Sequence, residues 1–180
     1  NRLGGYCIAE VARKLFEEKI KLPYSLYVVN SVQEEVGLHG ATMIAQTIRP
    51  DVAIITDVTH DTSTPLIDAK QEGDVRLGLG PALTYAPSVH RKLLQLIEEA
   101  AQVNNIPFQR VASSRSTGTD TDAFAYANGG IPSALISIPL RYMHTTVEMA
   151  HFEDISHLIN LISASLQQIK SGHNFKYFDR

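Results

Sequence analysis

The chain has 180 residues, 44% of them hydrophobic, with a formal net charge of −3 and one cysteine, Cys7. That length and composition suit one domain with a sizeable core. A mildly acidic chain without a basic run argues against nucleic acid as a partner. No apolar run approaches the ~20 residues of a membrane span, so no membrane partner is expected. One cysteine allows no internal disulfide, and together with the lack of a visible secretory signal this fits the cytoplasm.

In chain order, residues 4–18 read as a helix. Tyr24 to Val32, rich in β-branched and aromatic residues, reads as a buried strand over 25–32. Glu34 and Glu35 follow it in a glycine-bearing loop, then a short helix over 40–48 and a strand over 52–58 that carries Asp57. Another strand is expected over 74–80, and Ser88 is placed to cap a helix in which Val89, Leu93, Leu96, Ile97 and Ala100 recur at helical spacing. A strand over 107–113, a short helix after Asp120 and a strand over 132–139 come next. Asp154 is placed to cap a last helix with a continuous apolar stripe from Ile155 to Ile169. The alternation predicts an α/β fold, three layers αβα, with a mostly parallel central sheet.

Three buried-strand patterns lead to metal-type ligands: Glu34-Glu35 after the first, Asp57 in the second, and His144 after Ile136-Ser-Ile-Pro-Leu-Arg-Tyr-Met. A Glu-Glu pair alone is most often a solvated charge pair. Beside Asp57 and His144 it gains a second reading, because hydrolysis at a metal uses ligating carboxylates together with an unligated one that accepts a proton from water. Carboxylate and imidazole donors suit zinc, cobalt or manganese, and a thiolate site is excluded by the lone Cys7. The polar loop Ser113 to Asp122 could line a cleft or could be a plain capped connection, and Asp61 to Pro65 could be a turn or a substrate contact. Arg141 and Tyr142 could orient a substrate carbonyl or a bound oxyanion, with packing an equal alternative for Tyr142.

Gln33-Glu34-Glu35-Val36-Gly37, Asp57-Val58-Thr59 with Asp61 and Pro65, Gly118-Thr119-Asp120, and Arg141-Tyr142-Met143-His144 with Val147-Glu148-Met149 together resemble the M42 family of dinuclear metallo-aminopeptidases. The resemblance runs through nearly the whole chain. It implies Glu34 as general base, and Glu35, Asp57 and His144 as ligands of two divalent ions, zinc first with cobalt or manganese as alternatives. It further implies substrate binding by Gly118, Thr119, Asp120 and Arg141, peptide substrates, and a homo-oligomer of up to a dodecamer. An earlier histidine ligand, a metal-bridging aspartate and a small PDZ-like β domain of the family have no counterpart in these residues. Residues 1–180 are therefore expected to be the C-terminal part of a metallopeptidase catalytic domain, inactive alone. Thr145-Thr146 stands where the family often has Ser-Pro, which should relax the backbone after His144.

A non-catalytic fragment or assembly module is the rival reading. Within enzymes, a dinuclear carboxypeptidase or deacylase is the alternative, and a glycosidase the weakest, since its paired acids need no histidine-bearing metal motif.

Overall fold

The computed structural model describes residues 1–178. Its elements are α1 (Arg2–Glu17), α2 (His39–Ile48), β1 (Ala53–His60), α3 (Ala69–Glu72), β2 (Ala82–Tyr85), α4 (Arg91–Val103), β3 (Gln109–Ala112), α5 (Asp120–Ala125), β4 (Ser133–Arg141), β5 (Met149–Ala150) and α6 (Phe152–Gln168). They form the expected α/β layers around a five-stranded sheet ordered β1-β4-β2-β3, with β5 also on β4. Most of the ladder is parallel: β1 pairs β4 over eight positions and β2 pairs β3 over four. The junctions of β4 with β2 and with β5 are antiparallel and two positions long each.

β4 is the centre of the molecule. Ser133 to Leu140 are all buried, which demands cover on both faces. The larger core lies on one face, where Leu93, Ile97, Leu158, Leu161 and Val11 from α4, α6 and α1 meet Ile136 and Ile138. On the other, Ala45, Ala53 and Ile131 with Phe124 make a smaller core under α2 and α5. Pro139 sits in β4 without an amide hydrogen, which a central strand tolerates only where no ladder bond is required. Its neighbour Leu140 accepts from Asp61 on the β1 side, so Pro139 faces the other way, beyond Ser137 where the β2 pairing stops.

Four sequence expectations are corrected. Residues 25–32 form no strand: Leu26, Tyr27, Val28 and Val32 are 39%, 64%, 47% and 66% exposed. A cleft of about 1340 Å³ separates this stretch from β1, so its backbone meets no ladder partner. Residues 74–80 are a loop, with the strand starting at Ala82. Gly78 and Gly80 adopt φ of +81° and +93°, and their amides donate to the Asp154 carboxylate, both at 2.8 Å. Asp154 is accordingly no cap: it is fully buried in the first turn of α6, whose cap is His151. Ser88 is buried with its hydroxyl unpartnered, and His90 caps α4 instead.

The loop that carries the two glutamates is closed onto α2. Gly40 donates to Val32, His39 to Gln33, and Gly37 and Leu38 both to the Glu34 carbonyl, at 3.0 to 3.3 Å. A Cβ on Gly40 would lie 2.3 Å from the Val32 oxygen and 2.6 Å from its nitrogen. Gly40→Ala should therefore cost about 1–3 kcal/mol, the usual range for overpacking, and open residues 32–38. Denaturant melts with hydrogen exchange check it, and an unchanged midpoint would contradict the close approach.

His90 offers a second check. Its Nδ1 accepts from the Leu93 amide, and its ring meets Phe175 and Tyr177 edge-on. Burial, then the charge of Lys92, holds its pKa below the ordinary histidine value. A histidine lowered in the folded state contributes stability that is present above its unfolded pKa and lost as pH falls below it. Between pH 7 and pH 5 the chain should lose stability through this cap, and His90→Asn, which keeps a capping oxygen without a titration, should lose less. Thermal melts at the two pH values decide it.

Candidate active site

β1 carries Asp57 at mid-strand, with the strand running on to His60, so this acid projects from the sheet rather than from a strand end. Its Oδ1 accepts from the Val58 amide at 2.8 Å and from Asn1 Nδ2 at 3.3 Å. Asn1 also caps α1 through Gly4, which brings that helix to the same place. Burial first, and the charge of Asp120 against two hydrogen bonds, leave the Asp57 carboxyl above its ordinary value.

The Glu34–Glu35 loop faces this strand across the cleft. Glu34 is half-buried, and burial followed by the charges of Asp57, Glu35 and Asp120 raises its carboxyl above the usual range. Glu35 is exposed, its Oε1 3.8 Å from His144 Nε2. His144 stands in a turn after β4. Its amide donates to Glu148 at 2.7 Å, and the Thr145 hydroxyl donates to the Tyr142 carbonyl at 2.6 Å. That hydroxyl bond closes the turn on its own carbonyl.

Four of the nine non-glycine residues with left-handed backbone among the described residues lie on these loops. Gln33, Leu38, Tyr142 and His144 have φ of 60°, 58°, 56° and 63° without being glycine. Residues outside glycine adopt this region at a cost, and such outliers cluster at binding and catalytic sites.

The third wall is the polar loop before α5. Asp122 accepts from the amides of Thr117 and Gly118 at 2.9 and 3.0 Å. The Thr119 hydroxyl caps α5 through Thr121, and the hydroxyls of Thr117, Thr119 and Thr121 run in a chain at 2.9 and 3.0 Å. Gly118, at φ +67°, has open space where a Cβ would stand. Asp120 accepts a hydrogen bond from the Ser31 hydroxyl, and its other oxygen is buried without a partner.

Glu34, Glu35, Asp57, Gly118, Thr119, Asp120 and His144 thus line one cleft, and Arg141 does not. The Arg141 guanidinium lies 5.2 Å from the Tyr142 ring centroid, bracing the turn. Asp61, 2% exposed, accepts from the Ser63 amide in a plain turn. Ser31, Asn1 and Glu148 are contributors that residue chemistry did not single out. Only Glu148 had a sequence signal, its place within Val147-Glu148-Met149.

As a metal seat the cleft fits in part. Glu35 and His144 converge as carboxylate and imidazole, a donor pair suited to zinc, whereas catalytic zinc takes three protein ligands. Among the described residues no three histidine, cysteine, aspartate or glutamate side chains close on one point. No helix of the described residues is long and apolar enough to cross a membrane.

Comparison with known proteins accords with this geometry. Lysyl aminopeptidase of Pyrococcus furiosus is 38% identical over 175 residues, 94% of this chain and 47% of that protein. The TET aminopeptidase of Thaumarchaeota archaeon SCGC AB-539-E09 superposes with a TM-score of 0.88 at 29% identity, covering 95% of this chain and 48% of that one. The TET1 peptidase of Pyrococcus horikoshii, described as able to assemble into a tetrahedron or a large octahedral shell, superposes at 0.70 with 26% identity, covering 91% of this chain and 47% of that one. The chain spans about half the length of the relatives it matches. The profile of the M42 glutamyl aminopeptidase family matches residues 1–161, and the chain belongs to that family.

Proposed function

We propose that the full-length polypeptide is a metal-dependent aminopeptidase that removes N-terminal residues from peptides, with Glu34 as its general base. The observation that carries this reading is the gathering of Glu34, Glu35, Asp57 and His144 on one cleft, with Glu35 Oε1 3.8 Å from His144 Nε2. Membership of the M42 family supports divalent metal use.

Glu35 and His144 would hold one ion, and Asp57 would contribute to a second. Divalent ions there would polarise the scissile carbonyl and acidify the attacking water. Glu34 takes the proton of that water at its free carboxylate oxygen and returns it to the departing amine. The open space at Gly118, with Thr119 beside it, suits a peptide backbone passing along the cleft. The full-length protein is proposed to act as a homo-oligomer. A reducing compartment such as the cytoplasm is compatible with Cys7, which is free and buried with its thiol pushed up to about 11 by burial and then by Glu10.

In the full-length enzyme, Glu34→Gln should lower peptide hydrolysis by ~10² to 10⁴ while metal content stays nearly unchanged, because glutamine keeps the shape and cannot accept the proton. Glu35→Gln should lose metal and activity together. Metal analysis beside a leucyl-arylamide assay reads both, and an active Glu34→Gln enzyme would remove Glu34 from the mechanism.

Residues 1–180 alone should take up at most one divalent ion, weakly, at Glu35 and His144, and show no turnover. Zinc titration by calorimetry with a His144→Ala control tests this. Two tight sites, or hydrolysis, would show that other residues complete the centre.

A further inference from the structure

The stretch that delivers Glu34 and Glu35 is poorly anchored. Residues 25–38 contain no regular element and face the cleft for much of their length. Their backbone hydrogen bonds are local, closing 32–38 onto the start of α2. Among the described residues, one hydrogen bond ties this stretch to any element other than α2: the Ser31 hydroxyl donates to the Asp120 carboxylate, 89 positions away. The other long-range polar contact is the wide 3.8 Å approach of Glu35 to His144.

Asp120 stands on a rigid base. Thr121 beneath it is fully buried, and the Thr117–Thr119–Thr121 hydroxyl chain and the Asp122 bonds to two loop amides leave the start of α5 little freedom. A post of this kind joined to a loose loop by a charge-assisted hydrogen bond is a means of holding a functional group in place, and such bonds are stronger than neutral ones.

We propose that Asp120 is a positioning residue: through the Ser31 hydroxyl it clamps the loop bearing Glu34 and so sets where the general base stands over the cleft. Ser31 precedes Glu34 by three residues, with the strained Gln33 between them, so displacement at Ser31 passes to Glu34 through a short, constrained backbone. The oxygen committed to Ser31 leaves Asp120 facing the loop. The catalytic half of this inference rests on Glu34 being the base, and the clamp itself does not.

Two measurements separate them. On the 180-residue chain, Ser31→Ala and Asp120→Ala should each speed hydrogen exchange roughly tenfold at the amides of Gly37, Leu38, His39 and Gly40. The double variant should add little, and Ser31→Thr, which keeps the hydroxyl, should restore protection. In the full-length enzyme, Ser31→Ala should lower kcat roughly tenfold with KM unchanged within about twofold, and Ser31→Thr should rescue it. Exchange unaffected by Ser31→Ala would overturn the clamp. A rise in KM confined to Asp120→Ala, with Ser31→Ala silent, would overturn it in favour of direct substrate contact by Asp120. A clamp seen by exchange in a full-length protein without aminopeptidase activity would overturn the role of Glu34 while leaving the clamp intact.

Discussion

β4 is the constraint on which the rest depends. Eight consecutive buried residues cannot stand at an edge or face water, so the chain must supply a strand on either side and a helix layer over each face. The strand on one side is β1, and its parallel register with β4, Asp57 opposite Ser137, fixes the height at which Asp57 leaves the sheet. Where β4 ends at Arg141, the turn carrying His144 begins at once. Two of the cleft's groups are thereby placed by one strand.

The cleft is held together against its own electrostatics. Burial raises the carboxyls of Glu34 and Asp57, and the charge of Asp120 beside both, with that of Asp57 beside Glu34, adds to the effect. Nothing in a folded chain gains stability from such crowding. Left-handed backbone at Gln33 and Leu38 on one side and at Tyr142 and His144 on the other adds further cost. Unfavourable terms gathered at one place, over a buried and well-paired sheet, are the pattern of a site where stability yields to chemistry.

Between residues 25–31 and β1 lies the region least like an ordinary core. A stretch with the composition of a strand runs exposed beside a strand that has one paired edge, with the cleft between them. The composition favours a strand, but the ladder hydrogen bonds that would make one are not formed. That leaves side-chain anchors such as Ser31 with a larger share of the task of locating the loop.

The alternation of elements, the long amphipathic α4 and α6, and the identity of Glu34, Glu35, Asp57 and His144 as candidates were legible in the sequence, because periodicity and residue chemistry are local properties. Strand pairing was not. Tyr24 to Val32 looks like a core strand by composition, and only the absence of a neighbour within ladder distance makes it a loop. Residues 74–80 look extended, and glycines at positive φ feeding amides to a buried Asp154 make them a loop as well. Asp154 itself reads as a cap, and its burial comes from a partner loop 74 to 76 positions earlier in the chain. Separation in sequence likewise hides the Ser31–Asp120 bond, whose partners lie 89 positions apart. What one residue does within its own turn of chain is encoded locally; which distant residue satisfies its polar atoms is decided only when the layers close.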